Sequence, residues 1–184
     1  MRTRLALLGA AVALVLVGCS SPDEEPAAGP PPVDLVEQPA ASAGGACILW
    51  DYAFIAEKIG VTFGVAAADQ VDDTSTCLVR TVSADWPDLT LSVVESTNAD
   101  ATLFYSDLMP EKAVKVKGLG KAGYRLNTGS TAKHGPVVEI GWLSEAKQLQ
   151  TLRYTFAKTL KPAELTAMNT KLLDLAKAMN TTNG

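Results

Sequence analysis

The chain has 184 residues, with 16 Lys plus Arg against 20 Asp plus Glu, a single His, and 47 % apolar residues. That length accommodates one ordinary domain and a tether, and leaves no room for a second core of normal size. Its acidic balance excludes non-specific nucleic-acid binding, which needs positive charge concentrated against the phosphate backbone.

The first element is a leader. Arg2 and Arg4 form a basic start, Leu5 to Val17 an apolar run, and Gly18 a small residue directly ahead of Cys19 and Ser20. A bilayer span needs about 20 apolar residues, so the run reads as the apolar region of an export signal. Leu16, Val17, Gly18 and Cys19 resemble the bacterial lipobox. That resemblance implies cleavage after residue 18 and acylation of Cys19 by palmitate-like chains. It also implies a mature protein held on the outer face of the cell membrane. The alternative is a plain secretory signal with an unmodified cysteine.

From Ser20 to Gly45 the sequence is Pro, Ala, Gly, Ser and acid, including Asp23, Glu24, Glu25, Asp34 and Glu37, with no aromatic or basic residue. This composition predicts a disordered tether of roughly 30 Å root-mean-square span, extended further by its prolines and like charges. The expected organisation is therefore a signal over 1–18, a lipidated tether over 19–45 and a folded domain over 46–184.

Within the domain, Leu49, Ala53, Ala56 and Ile59 share one helical face, which predicts a helix over 47–59 stopped by Gly60. Cys77 to Val82 and Leu89 to Val94 read as strands separated by a turn at Trp86, Pro87 and Asp88. Asn98 is placed to cap a second helix that runs to Met109 and stops at Pro110. Strands follow over 113–117, 123–126, 137–143 and 149–157. In the last, Leu152, Tyr154 and Phe156 alternate with Thr151, Arg153 and Thr155, as in a sheet with one wet face. Pro162 then opens a helix whose Leu165, Met168, Leu172, Leu175, Ala176 and Met179 form one stripe suited to packing on the sheet. The order predicts an α+β single domain, with an antiparallel sheet of about five to six strands packed against two or three helices.

Three cysteines form an odd set, which the leader resolves. With Cys19 assigned to lipid, Cys47 and Cys77 are left as a pair in an oxidising compartment, where a disulfide is the expected state. Such a bridge stabilises by roughly 3 to 4 kcal/mol in the chain-entropy account. Catalytic or metal-binding thiols are the lesser reading.

The landmarks in order resemble a family. They are Cys47 before a helix ending in Gly60, Cys77 with Leu78 and Val79 in a strand, and Val116, Gly118, Leu119, Gly120, Ala122 and Tyr124 before a hairpin. They are similar to those of actinobacterial cell-envelope lipoproteins of unknown function, whose small α+β domain is Mog1/PsbP-like in shape. Many members carry Trp two positions after the second cysteine, where this chain has Val79. The resemblance implies a location and a fold, and brings no activity.

Chemistry-bearing motifs are sparse. Gly118, Gly120 and Gly123 match the G-x-G-x-x-G spacing of dinucleotide sites, but a strand follows where a helix N-terminus is needed, so a tight turn is expected. His134 lies in a polar loop with Ser130, and no G-x-S-x-G elbow supplies a nucleophile, so it reads as a solvated loop residue. Asp69, Asp72 and Asp73 lack EF-hand spacing; a solvated turn is the default and weak calcium binding the alternative. Asp85 and Asp88 cannot be set across a cleft from sequence alone. From Lys112 onward cations dominate, and before it acids outnumber Lys58 and Arg80; much of this imbalance is expected to close by internal pairing. The alternative is a basic face toward anionic lipid or wall polymer.

No catalytic residue, cofactor or metal ligand is assigned. The function expected is that of a non-enzymatic binding or accessory module of the cell envelope, attached through Cys19. Its ligand or protein partner would meet a sheet face, or a cleft beside Trp86 and Trp142. A small envelope hydrolase with an unrecognised site, a binder of lipid or wall polymer, and a simple spacer are the alternatives.

Overall fold

The computed structural model describes residues 38–95 and 97–183, with side chains through Met179. The expected leader, Cys19 and most of the expected tether lie outside the described residues.

The described chain begins in two 3₁₀ turns, Ala40–Ala43 and Gly45–Leu49, joined by Gly44 at φ 76°. Ala40, Ala46 and Cys47 are buried, so packed structure starts before the expected boundary at residue 46. The reason is local. Small side chains at Ala40 and Ala46 fit under the sheet, and a Cβ on Gly45 would stand 2.9 Å from the Ser75 hydroxyl.

The predicted helix over 47–59 is split. Trp50 is extended, and α1 covers Tyr52–Ile59 after the Asp51 carboxylate accepts from the Phe54 amide at 2.7 Å. That side-chain cap restarts the helix by satisfying an amide the helix cannot. Gly60 closes α1 in the left-handed conformation at φ 75°.

Seven antiparallel strands follow: β1 (Val65–Val71), β2 (Thr74–Arg80), β3 (Asp88–Val94), β4 (Val114–Val116), β5 (Ala122–Thr128), β6 (Val137–Leu143) and β7 (Leu149–Thr155). Their order across the sheet is β1-β2-β3-β7-β6-β5-β4. The chain makes a three-strand meander, crosses to the far edge, and returns as a four-strand meander whose last strand pairs with β3. The count exceeds the expected one because β1 has no apolar alternation to reveal it. As an edge strand it leaves most of its residues exposed or half-buried.

Between β3 and β4 lies α2 (Ala101–Leu103), continued by a π-helical turn over Phe104–Leu108. Its cap is Asp100, which accepts from the Leu103 amide at 2.9 Å, two positions later than the expected Asn98. The last helix, α3 (Pro162–Asn183), begins where Pro162 predicted it.

Strand alternation sorts the side chains. Leu89, Leu91, Val93, Val138, Ile140, Trp142 and Leu152 share the face covered by α1 and α3, whose Ile55, Ile59, Leu172, Leu175 and Ala176 join the same buried cluster. Each such Leu or Ile contributes about 1.5 to 3 kcal/mol by leaving water. A smaller cluster of Phe104, Ala122, Tyr124 and Leu143 places α2 on the opposite face, at the β4–β5–β6 end. The buried apolar residues among those described run from Ala40 to Met179 and lie within one compact unit.

Cys47 and Cys77 form a disulfide across the helix-covered face, 30 residues apart in sequence. The Trp50 indole N–H donates to the Cys77 sulfur at 3.3 Å. A disulfide fits folding in an oxidising, extracytoplasmic compartment. No helix among the described residues is long and apolar enough to cross a membrane.

Candidate functional site

The helix-covered face runs out at one end of β7, and there the packing leaves a cavity. Gly60 turns the chain sharply away from α1, while Pro162 does not start α3 until after Leu160 and Lys161. Between these two helix ends and the sheet lies a cleft of about 390 Å³, lined on its apolar side by Ile59, Val61, Tyr154, Phe156, Leu160 and Met168. That volume is within the range of small-molecule sites, roughly 300 to 1,000 Å³.

The cleft has charged margins. Lys171 donates its ammonium to the Ile59 carbonyl at 3.0 Å and so ties α3 to the end of α1. Glu164 accepts from the Lys161 amide at 3.0 Å and caps the start of α3. Inside, the Tyr154 ring meets Phe156 edge-on at 4.7 Å. Burial raises the Tyr154 phenol above its ordinary pKa, and the charges of Asp88 and Glu164 raise it further. It therefore stays neutral, and its hydroxyl enters no hydrogen bond found among the described residues. A cleft with an apolar wall, the hydroxyls of Tyr154 and Thr159 and a Lys/Glu margin can hold a molecule with a hydrophobic body and a polar end.

A second constellation lies on the open face. Register aligns Arg80, Asp88 and Thr155 across β2, β3 and β7, with Thr90 and Arg153 in the next row. Asp88 is only 8 % exposed, and its Oδ1 has no hydrogen-bond partner. Burial raises its pKa, against the opposing effects of a Thr155 hydrogen bond and the charges of Arg153, Arg80 and His134. Arg80 also pairs with Asp85 at 3.3 Å. At this end the Trp86 and His134 rings stand 5.3 Å apart, and the His134 Nδ1 lies 2.6 Å from the Gly135 carbonyl.

These placements revise several expectations. Trp142 is 0 % exposed and points into the core beneath the helices, so it cannot face a ligand at the surface; its apolar neighbours on β6 alternate inward with it. Trp86 is half-buried beside Pro87, a lining residue of the cleft. His134 is half-buried against Trp86 instead of solvated. The glycine motif is a strand-to-strand turn, with Gly118 at φ 71° and Gly120 at φ 53°. Between them Leu119 plugs into the core. Asp72 and Asp73 form the β1–β2 turn. Among the described residues, no group of three or more His, Cys, Asp or Glu is placed to hold a metal ion.

Among the described residues, ion pairs do not close the charge imbalance. The ion pairs found among the described residues are Lys58–Glu57 and Arg80–Asp85, both before Lys112. What sequence reading missed is the cleft itself. Ile59, Tyr154, Phe156 and Met168 all looked like ordinary core positions, and the only available hint was a tyrosine on the buried face of a strand.

Comparison with protein-family models, with curated proteins and with solved structures yields no match.

Proposed function

We propose that this chain is a lipid-anchored, extracytoplasmic binding module whose helix–sheet cleft takes an apolar or amphipathic small molecule. The observation that carries the reading is the cleft between Gly60, the end of β7 and the start of α3, walled by Ile59, Val61, Phe156, Leu160 and Met168 and edged by Lys171 and Glu164. The lipobox-like Leu16 to Cys19 and the disulfide agree with an envelope location, and the acylated Cys19 would hold the cleft near membrane lipids. The test is to purify the full chain from membranes of producing cells, extract it, and identify co-purifying small molecules by mass spectrometry. A bound hydrophobic compound is expected in the parent, and its loss is expected in Ala167→Trp, where an indole at an exposed lining position blocks the cleft. Equal recovery from parent and variant, or none from either, would sink the proposal.

A second reading, a small envelope hydrolase, has Asp88 in its favour, since an acid raised above its usual range beside His134 could deliver a proton. Asp88 does not line the cleft, so a substrate there would not reach it. The binding reading is therefore preferred.

A further inference from the structure

The β4 edge of the sheet carries a feature that the cleft does not explain. Between residues 112 and 125 stand Lys112, Lys115, Lys117, Lys121 and Arg125, with no acid among them. The four lysines are exposed and Arg125 is half-buried. β4 is the terminal strand, so none of the described strands lies beyond it. Asp107 and Glu111, on the adjoining stretch, are outnumbered, and none of the five cations takes part in an ion pair found among the described residues.

Large apolar side chains are exposed in the same region. Leu103 is 40 %, Leu108 42 % and Val114 56 % exposed. Register puts Val114 on the sheet face opposite Lys115, whereas α2 and its π turn lie on the Lys115 face, so the edge exposes apolar groups on both of its sides. The Lys115 ammonium sits 4.1 Å from the centre of the Tyr105 ring, and the Tyr105 hydroxyl accepts from the Gly123 amide at 3.3 Å. α2 and its π turn are thereby fixed against the β4–β5 hairpin, and Leu108 leads into β4 through Pro110 and Lys112. The opposite edge of the sheet has the reverse charge, with Asp69 on β1 and Asp72 and Asp73 in its turn. A field of this polarity turns the β4 edge toward a negative surface.

We infer that the β4 edge is a docking surface for an anionic phospholipid membrane. Lysines near such a surface each gain on the order of a few-fold in affinity, and exposed leucine and valine side chains add apolar insertion at the headgroup level. A soluble polyanion would use the cations alone; the exposed Leu103, Leu108 and Val114 are what favour a membrane. This inference is independent of the cleft and of acylation at Cys19.

The test uses residues 38–184, which lie within one compact unit and carry the described core, so that neither leader nor lipid contributes. Co-sedimentation with phosphatidylglycerol-containing vesicles is compared with phosphatidylcholine vesicles across a range of NaCl. Binding is expected only with the anionic vesicles, weakening as salt rises. The triple variant Lys112→Glu, Lys117→Glu, Lys121→Glu is expected to lose at least about 100-fold in affinity. The triple variant Leu103→Ser, Leu108→Ser, Val114→Ser is expected to lose affinity while keeping the salt dependence. Circular dichroism of each variant should match the parent. Equal binding to both vesicle types, or no loss on charge reversal in a folded variant, would overturn the inference. So would tight binding of soluble poly(glycerol phosphate) combined with no effect of the serine variant, since the surface would then serve a polymer.

Discussion

Along β3, β7 and β6, one face of the sheet presents Leu89, Leu91, Leu152, Ile140 and Trp142 to the helices, while the other presents Thr90, Ser92, Thr151, Arg153 and Glu139. The same strands thus serve two environments through the two-residue period of extended backbone. The covered face concentrates stability, because every side chain there is withdrawn from water. The open face contributes little packing except where Phe104 and Tyr105 sit on Ala122 and Tyr124. The candidate site features gather where the first arrangement ends: the cleft lies at the limit of helix coverage, and Asp88 opens β3 at the same end of the sheet.

The sharpest test of this division is Trp142→Ala. A fully buried indole on the covered face should cost about 3 to 5 kcal/mol on truncation, read as a lowered midpoint in urea unfolding. Trp142→Phe should cost much less, because the indole N–H has no hydrogen-bond partner to lose among the described residues. If Trp142→Ala instead left the midpoint unchanged, the assignment of this face to stability would fail.

Gly120→Ala probes the turn that joins β4 to β5. A Cβ there would meet the Leu143 carbonyl oxygen, and φ is 53°. The left-handed backbone alone costs a non-glycine residue about 1 to 2 kcal/mol, and the contact with backbone adds to it. A loss of about 2 kcal/mol or more is expected in thermal or urea unfolding. Gly118→Ala, which meets nothing within 4 Å, should cost less, so the pair separates backbone strain from crowding.

The ease with which each part could be read from sequence follows the same division. α3 and β7 were legible because Leu172, Leu175 and Ala176 recur with the helical period and Leu152, Tyr154 and Phe156 with the strand period, each having one covered side. β1 was hidden because an edge strand of Val, Ala and Asp has no strongly buried side to impose a pattern. The break before α1 was missed because the Asp51 cap competes with an apolar periodicity that spans it. The disulfide was legible through the count of cysteines. The cleft was not, since it arises from where Gly60 and Pro162 end and begin helices relative to Tyr154, a three-dimensional coincidence that no local spacing records.

The smallest expected effect concerns Asp88, at the boundary between the two environments. Its native pKa is raised above the ordinary 3.8, chiefly by burial. The folded state therefore holds a proton in a pH range where the unfolded chain has released it. By linkage, unfolding free energy falls as pH rises from about 3.8 through the raised native value, and is level above it. Asp88→Asn removes both the titration and the cost of a buried charge. Relative to the parent, it should gain stability progressively across that window and keep the gain at neutral pH, in urea unfolding followed from about pH 3 to about pH 8. The attractions of Arg80 and Arg153 and the Thr155 hydrogen bond oppose this gain, because they favour the charged carboxylate that Asn lacks. Burial is the largest of these influences, so the variant-to-parent difference should rise with pH. A difference that fell with pH would mean that the arginines and the Thr155 hydrogen bond outweigh burial at this open-face position.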